Sequence, residues 1–344
     1  MPTEIQNNKK IDIKENYILS LSQQLIQILL KDNTTGRNLI WATDNYEKYG
    51  KGYSKNDYME IQYITGKNGN IIKPRVEKSK EEQQLRIQQK AEVFTPAWIC
   101  NKQNNLIDNQ WFGKENIFNT EEEKFWITNK NKIEFPKKKG KKWKDYIKLN
   151  RLEISCGEAP YLTSRYDSTT RKYIPPEDRI GLLDRKLRII NEHTKQKNTW
   201  IKYAIQAVKS IYGYDWQGDN VFLARENVLF TVVEFFEQKF NETIKLIDMV
   251  KFAKIISWNI FQMDGLKGVI PDSCREETII REDLFNQTTE IIKCLGCKKN
   301  DIHKHNGIYC KVMDWKERKI VRFIDLISNA IQSNVVKPKK KNRK

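Results

Sequence analysis

Residues Glu153–Tyr166 read EISCGEAPYLTSRY, an apolar-leaning run that ends in a turn containing one glycine. A nucleotide-binding loop usually has another glycine where this turn has Glu-Ala-Pro. Two later strand-like runs, YGYDWQGDN and NIFQMDGL, each end in an acid, Asp215 and Asp264. Ligands of open α/β sheets bind at the carboxyl ends of strands, where a tight turn approaches a nucleoside and an acid accepts ribose hydroxyls. The three features in this order predict a cofactor site, although each alone also fits an ordinary turn or helix N-cap.

The composition indicates a folded, basic protein. The 344 residues are 39% hydrophobic and 11% aromatic, which is enough for two or three packed units and excludes a disordered chain. Lys and Arg number 62 against 44 Asp and Glu, a net charge of +18. Such an excess favours a polyanionic partner such as a nucleic acid, because Lys and Arg that neutralise phosphates release counterions. The alternative is that abundant Lys, Asn and Ile reflect an AT-rich coding sequence.

The sequence predicts a soluble, cytoplasmic protein with no membrane partner. The N-terminus MPTEIQNNKK has no apolar signal region, and the longest apolar candidate, YILSLSQQLIQILL, is interrupted by Ser and Gln. No Walker-type phosphate loop and no Ser/His/Asp or Cys/His nucleophile set is present, and the acids of PDSCREE lack the Lys that a nuclease site needs.

Hydrophobic periodicity predicts alternating strands and helices, hence an α/β core with a parallel sheet. A hairpin is expected at Asn56–Val76 because KNGN provides a tight turn, and an exposed hairpin or loop is expected at Glu121–Lys148. Short β-like runs are expected near the C-terminus, in GIYCKVMDW and KIVRFIDLI. The predicted helices are Glu15–Lys31, Glu77–Lys90, one beginning in Gln103–Phe112, Ile180–Ile190, Trp200–Ile211, Val221–Phe240 and Thr243–Ser257.

Four segments in fixed order carry a resemblance to a known family. AEVFTPAWIC, LEISCGEAPYL, IYGYDWQGDNVFLARENVLFT and IISWNIFQMDGL, between Ala91 and Leu266, resemble the N-terminal half of the gamma-type adenine-specific DNA methyltransferases of restriction–modification systems. Within that family, the segments resemble those of proteins called restriction endonuclease subunit M. The resemblance implies a Rossmann-like, S-adenosylmethionine-dependent methyltransferase core, with double-stranded DNA as its partner.

The resemblance also implies a role for individual residues in binding S-adenosylmethionine. The Phe-Thr-Pro of motif X approaches the methionine part, motif I lies beneath the cofactor, the motif II acid holds the ribose hydroxyls, and the motif III acid lies near the adenine amino group. The corresponding residues are Phe94, Thr95 and Pro96 for motif X, Glu153, Ser155 and Gly157 for motif I, Asp215 for motif II and Asp264 for motif III.

Three departures from the family pattern stand out. Ala159-Pro160 replaces the second glycine of motif I, and the proline fixes φ and removes a donor. Gly157 and Asp215 are 58 residues apart, more than a βαβ unit of roughly 30 residues requires, which predicts a helical insertion at Ile180–Thr194. No Asn-Pro-Pro-Tyr motif occurs, so no catalytic residue is assigned to this chain.

These observations predict a cofactor-binding modification subunit for DNA adenine N6-methylation, whose Asn-Pro-Pro-Tyr element comes from a second chain, with a restriction subunit as another possible partner. A truncated product or an inactive relative are the alternatives for the missing motif. The competing function is a non-catalytic DNA-binding or assembly subunit of the same kind of system.

The sequence divides into four predicted regions. They are an N-terminal α+β region at 1–90, the cofactor-binding core at 91–270, a Cys/His zinc-knuckle-like segment at 271–330 and a basic tail at 331–344.

The Cys/His segment CLGCKKNDIHKHNGIYC predicts a structural zinc site. A C-x-x-C turn presents two thiolates, and zinc prefers four thiolate or imidazole ligands. The expected ligands are Cys294, Cys297, Cys310 and one histidine, with His305 preferred over His303 although spacing does not decide between them. The alternative is a reduced turn without metal.

The basic stretch KKKGKKWK predicts a nucleic-acid contact. Lysines neutralise phosphates, and Trp143 offers a ring on which a base could stack. A solvated loop is the alternative. The lysines assigned to this contact are Lys137, Lys138, Lys139, Lys141 and Lys142.

Overall fold

The structure, a computed structural model, describes residues 11–90, 95–283 and 286–327. It is a mixed α/β protein of helices, small antiparallel sheets and one parallel sheet. The chain divides into two compact units. One comprises the described residues of Met1–Asp32 and Gly36–Gln262, the other those of Asn33–Thr35 and Met263–Lys344. The predicted N-terminal region and most of the predicted cofactor-binding core therefore belong to one unit.

The first unit contains ten helices and five strands within the described residues. The helices are α1 (Glu15–Leu21), α2 (Gln23–Leu30), α3 (Ile61–Ile64), α4 (Lys80–Lys90), α5 (Ala97–Phe112), α6 (Trp143–Tyr146), α7 (Leu182–His193), α8 (Lys197–Val208), α9 (Gly218–Phe240) and α10 (Leu246–Asn259). The strands are β1 (Asn119–Glu121), β2 (Trp126–Thr128), β3 (Arg151–Ile154), β4 (Ile211–Asp215) and β5 (Ile260–Gln262).

The parallel sheet has the order β3-β4-β5. Glu153 is aligned with Gly213, and Asp215 with Gln262, so the carboxyl ends of the strands lie at one edge of the sheet. Helices α7 and α8 connect β3 to β4, and α9 and α10 connect β4 to β5. The parallel sheet and the extra helix predicted at Ile180–Thr194 are confirmed.

Helix α9 is the centre of the first unit. It is buried over most of its length and packs against β4, β5, α2, α7 and α10. It ends at Asn241, whose left-handed conformation (φ 51°) stops the helix as αL residues commonly do. Its Val, Leu and Phe residues supply the apolar surface that such a buried position requires.

Two predictions for the N-terminal region are wrong in detail. The helix predicted at Glu15–Lys31 is interrupted at Ser22, whose extended backbone (φ −173°) ends α1 and caps α2. The hairpin predicted at Asn56–Val76 is replaced by α3 and two 3₁₀ turns. The side chain of Asn16 accepts from the Gly66 N–H at 2.6 Å and donates to its carbonyl at 3.0 Å. This distant contact fixes the turn in a conformation that local propensity does not anticipate.

A buried arginine joins α9 to its neighbours. The guanidinium of Arg225 donates to the carbonyls of Leu29 and Lys31 at 2.6 and 2.9 Å, at the end of α2. It also donates to the carbonyls of Ser257 and Ile260 at 3.0 and 2.8 Å, where α10 passes into β5. Burial lowers the pKa of Arg225 to about 10, so the group remains charged at neutral pH. One side chain thus satisfies carbonyls that helix ends leave without intrahelical partners.

The second unit is made of hairpins and a short helix. Strands β6 (Glu277–Asp283) and β7 (Asn286–Ile292) pair antiparallel, α11 (Leu295–Lys299) follows, and β8 (Lys311–Asp314) pairs with β9 (Lys319–Arg322). The strands β8 and β9 lie within the β-like runs predicted there, but residues 323–327, the second half of the run KIVRFIDLI, are helical. Across the described ranges, no helix combines the length and the apolar character needed to cross a bilayer.

Replacing Arg225 with Met is expected to lower the free energy of unfolding by at least about 3 kcal/mol, because several buried carbonyls lose their donor. Arg225→Lys should cost less, since one ammonium reaches fewer carbonyls. Urea unfolding measures both. The control is Arg37→Met at an exposed position, expected to change stability by less than about 0.5 kcal/mol. Equal stability of the Arg225 and Arg37 variants would contradict this role.

Candidate cofactor and metal sites

The turn after β3 has an unusual backbone. Ser155, Gly157 and Ala159 all have positive φ, at 46°, 52° and 62°. Only glycine adopts this region without steric cost, so two non-glycine residues are held there by their surroundings. The Ala159 N–H donates to the Cys156 carbonyl at 2.7 Å, and its own carbonyl accepts from the Thr163 N–H at 2.9 Å. Ala159 thus holds a left-handed conformation that glycine adopts more readily.

Glu153 fixes the second half of this turn. Its two carboxyl oxygens accept from the backbone N–H groups of Tyr161 and Leu162 at 3.2 and 3.1 Å. Burial raises the pKa of Glu153 to about 8, although these two N–H groups act to lower it. Through these two hydrogen bonds the Glu153 carboxyl group holds the backbone of the loop in place.

Asp215 joins the turn to the end of β4. One of its oxygens accepts from the Gly157 N–H at 3.0 Å, and the other from the Gln217 N–H at 3.0 Å and the Asn220 amide at 3.2 Å. The predicted motif I and motif II residues are therefore in direct contact. The carboxylate also orients the first turn of α9.

The described part of motif X lies beside Asp167 and Ser168, which follow the turn after β3. The Thr95 carbonyl accepts from the Ser168 hydroxyl at 2.9 Å, and the carboxylate of Asp167 accepts from the N–H of Ala97 at 2.9 Å. Pro96 precedes α5 as its N-cap residue. Phe94 lies outside the described residues.

Asp264 belongs to the second unit and closes a turn there. It accepts from the backbone N–H groups of Leu266 and Lys267 at 3.0 and 3.2 Å and pairs with the Lys267 ammonium at 3.2 Å. Its assignment to the adenine amino group stays a prediction.

Two residues of this region were not assigned from the sequence. The Glu158 carboxylate accepts from the Tyr166 hydroxyl at 2.6 Å and from the Arg75 N–H at 2.5 Å. The Asn227 amide donates to the Glu158 carbonyl at 2.9 Å. Asn227 lies in IYGYDWQGDNVFLARENVLFT, one of the four segments that carry the family resemblance, and its place in that segment was the available signal.

Three cysteines and a histidine in the second unit could hold a metal ion such as zinc. The Nδ1 atom of His305 lies 3.6, 3.7 and 3.6 Å from the Sγ atoms of Cys274, Cys294 and Cys297. Tetrahedral zinc, at about 2.3 Å from sulfur and 2.0 Å from nitrogen, holds those atoms roughly 3.5 Å apart. Burial acts to raise the pKa of Cys294, yet hydrogen bonds, first from the N–H of Asn306, lower it to about 6. A thiolate is the form that binds metal.

The set differs from the predicted one in one ligand. Cys274 occupies the position predicted for Cys310, which is fully buried elsewhere in the unit, and His305 rather than His303 is the histidine. Cys274 precedes β6 by three residues and Cys294 follows β7 by two, and the paired strands return the chain to its starting point. Cys274 lies 20 positions before the C-x-x-C turn, so ligand spacing does not identify it from the sequence. A predicted hairpin between the two segments would have shown that they meet.

Four of the five lysines predicted to contact nucleic acid lie along one groove, and the fifth does not. Lys137, Lys138, Lys139 and Lys142 are exposed along a groove that also includes Trp143. Lys141 instead donates to the Trp111 carbonyl at 2.6 Å and lies over the Trp111 ring.

The ring of Trp143 is already occupied within the protein. It stacks on His193 at 5.0 Å and meets Tyr203 edge-on at 4.7 Å. The face of Trp143 that His193 covers is therefore not available for stacking on a base.

Comparisons of the chain with protein-family models, with curated proteins and with solved structures find no match. The family resemblance therefore rests on the sequence motifs, and the geometry above is the independent evidence about the site.

Replacing Ser155 with Gly is expected to raise the free energy of unfolding by up to about 1 kcal/mol, because the exposed Ser155 holds a left-handed conformation. Chemical denaturation measures the change. Ser155→Ala is the matched control and should be close to wild type, since alanine has the same backbone cost. A Gly variant less stable than the Ala variant would show that the turn is not left-handed at this position.

Replacing Cys274 with Ala is expected to abolish stoichiometric zinc binding, because three ligands remain in a site that needs four. Cys310→Ala should retain it. Elemental analysis of both variants and of wild type, purified without chelators, measures the zinc content. Zinc retained without Cys274 and lost without Cys310 would restore the ligand set predicted from the sequence.

Proposed function

We propose that this chain is the S-adenosylmethionine-binding modification subunit of a restriction–modification system, acting in DNA adenine N6-methylation with a partner chain that supplies the catalytic motif. The observation that carries the proposal is the hydrogen bond between the Gly157 N–H and the Asp215 carboxylate at the carboxyl ends of adjacent parallel strands. Residues 58 positions apart thereby form one loop-and-acid pair, the arrangement a nucleoside cofactor requires.

The position of motif X supports the same proposal. Thr95 contacts the segment that follows the motif I turn, so three segments that the family resemblance assigns to one cofactor lie in one neighbourhood. In a Rossmann-like core, Gly157 would let the loop approach the cofactor, and Asp215 would accept its ribose hydroxyls. Methyl transfer from the sulfonium to an adenine amine would then depend on proximity and orientation.

The unpaired outer edge of β3 is an argument for a partner chain that adds a strand to the sheet. Among the described residues, β3 pairs only with β4. Leu152 and Ile154 point to one face of this strand and are 47% and 65% exposed. Parallel sheets normally have both faces covered, so a strand and helix added at this edge would bury these side chains. The segment carrying an Asn-Pro-Pro-Tyr motif is the proposed occupant.

The proposed metal is zinc, and its proposed role is structural. All four candidate ligands come from the protein, which leaves no open position for a substrate or a catalytic water. Bound zinc would join the loop before β6 to α11 and stabilise a unit built mainly of short hairpins.

A second candidate is a non-catalytic DNA-binding or assembly subunit, and two observations favour it. Both oxygens of Asp215 already accept hydrogen bonds from the chain, which competes with ribose binding. The exposed lysines Lys137, Lys138 and Lys139 offer a sequence-independent contact with DNA phosphates.

Calorimetric titration with S-adenosylmethionine separates the two candidates. The proposal predicts micromolar binding by the wild-type chain, at least roughly tenfold weaker in Asp215→Asn, because an amide accepts fewer hydrogen bonds from ribose. Asp248→Asn, at a partly buried acid on α10 that pairs with Lys251, should bind as wild type does.

The absence of a binding signal from folded wild-type protein would reject the cofactor proposal and favour the second candidate. Equal weakening of S-adenosylmethionine binding by the Asp215 and Asp248 substitutions would show that Asp215 has no specific role in binding the cofactor.

A further inference from the structure

Two of the three cysteines in the candidate metal group are accessible to solvent. Cys297 is exposed and Cys274 is half-buried, whereas Cys294 is buried. The sulfur of Cys294 also accepts a hydrogen bond from the Asn306 N–H at 3.2 Å. The susceptibility of a cysteine to oxidation depends on its thiolate character and on its exposure. Because metal-bound cysteines are thiolates, Cys297 is the sulfur of this group that an oxidant in solution reaches first.

The sulfurs of the group are close enough to form a disulfide bond. The ligand atoms, including the sulfurs of Cys274 and Cys297, all lie within 4.8 Å of one another. Side-chain rotation that brings two of these sulfurs to about 2 Å forms the bond. Cys274 belongs to the loop before β6 and Cys297 to α11, so the bond would join the same two segments as the metal. Its formation would consume two of the four ligands.

The metal group is connected to the turn of Asp264 by hydrogen bonds. The hydroxyl of Ser273, one position before a metal ligand, accepts from the Ile308 N–H at 3.0 Å. The Ile308 carbonyl accepts from the Ile270 N–H at 2.8 Å. The residue before Ile270 is Val269, whose carbonyl accepts from the Asp264 N–H at 2.8 Å. The loop that carries the metal ligand therefore supports the Asp264 turn.

A second connection begins at the histidine of the group. The N–H of His305 donates to the Tyr309 hydroxyl at 2.9 Å, and this hydroxyl donates to the Ile302 carbonyl at 3.0 Å. Tyr309 in turn forms a β-bridge with Val269, the residue whose carbonyl accepts from Asp264. Both connections end on the same turn, so loss of the metal would remove the anchor at the other end of each.

We propose that Cys297 and Cys274 form a thiol switch, in which peroxide oxidises the pair to a disulfide, releases the zinc and loosens the turn of Asp264. The inference rests on the zinc proposed above and does not depend on S-adenosylmethionine binding. Asp264 is the acid that the family resemblance assigns to the adenine amino group, so the switch acts on a residue of the proposed function.

The reaction balances with hydrogen peroxide as the oxidant. The Cys297 thiolate attacks one peroxide oxygen, the O–O bond breaks, and a sulfenic acid and a hydroxide ion form. The Cys274 thiolate then attacks the Cys297 sulfur, which forms the S–S bond and expels a second hydroxide ion. Two electrons pass from the sulfurs to the peroxide, and solvent protons convert both hydroxide ions to water. Zinc then retains only Cys294 and His305 and dissociates, because a structural site needs four ligands.

The test is peroxide treatment of the zinc-loaded full chain. A colorimetric chelator measures zinc release, and mass spectrometry of a tryptic digest locates the disulfide. We expect stoichiometric zinc release and a cross-link between peptides 268–275 and 294–298 that fragmentation assigns to Cys274 and Cys297. Hydrogen–deuterium exchange should become faster at residues 264–270 and stay unchanged in α9. Dithiothreitol with added zinc should reverse all of these changes.

Cys297→His tests the switch while keeping a metal site. Imidazole is also a zinc ligand, so this variant has four ligands but lacks the exposed sulfur, and peroxide should release its zinc at least roughly tenfold more slowly. Cys310→Ala, outside the metal group, is the matched control and should release zinc as the wild type does. Mapping of the disulfide in wild-type protein tests the same pair independently of both variants.

Zinc retained by peroxide-treated wild-type protein would overturn the proposal. A disulfide between Cys294 and Cys297 would overturn it as well, as would unchanged exchange at residues 264–270 after zinc release. Equal rates of zinc release from Cys297→His and the wild type would show that Cys297 is not the reactive sulfur. Wild-type protein that contains no zinc when purified without chelators would reject the metal site itself, and this inference with it.

Discussion

The guanidinium of Arg225 donates to carbonyls at the end of α2 and at the junction of α10 with β5, so one buried cation determines where three elements meet. Helix ends leave carbonyls without partners, and burying them is costly unless a donor is supplied. Because Arg225 lies on α9, the central helix is held in register with the sheet. That register puts the first turn of α9, and with it Asn220 and Gln217, beside Asp215.

The cofactor proposal follows from this arrangement. Asp215 binds the N–H of Gly157, and Glu153 binds the N–H groups at the far side of the same turn. The turn is thus fixed by two carboxyl groups, one from each of two neighbouring parallel strands. This explains how Ala159 can occupy a left-handed conformation. Local strain is retained where surrounding contacts over-determine it, as is common at ligand sites.

The sequence predicted those features that depend on local pattern. The helical periodicity of Val221–Phe240, the strand ending in Asp215 and the extra helix before β4 all appear in the structure. Features that depend on distant contacts were not predictable in the same way. The Asn16 side chain, 50 positions from Gly66, replaces the expected hairpin with a different turn.

The candidate metal ligands show the same limit of prediction from sequence. Cys274 reaches the metal group only because the β6–β7 hairpin returns the chain, and periodicity alone does not report that return.

Hydrogen–deuterium exchange with and without saturating S-adenosylmethionine tests the central claim most directly, because it reports where the cofactor acts. The account predicts slower exchange in residues 155–163 and 215–220 and unchanged exchange in β8 and β9. Identical exchange in those two segments with and without the cofactor, or protection confined to other segments, would contradict it.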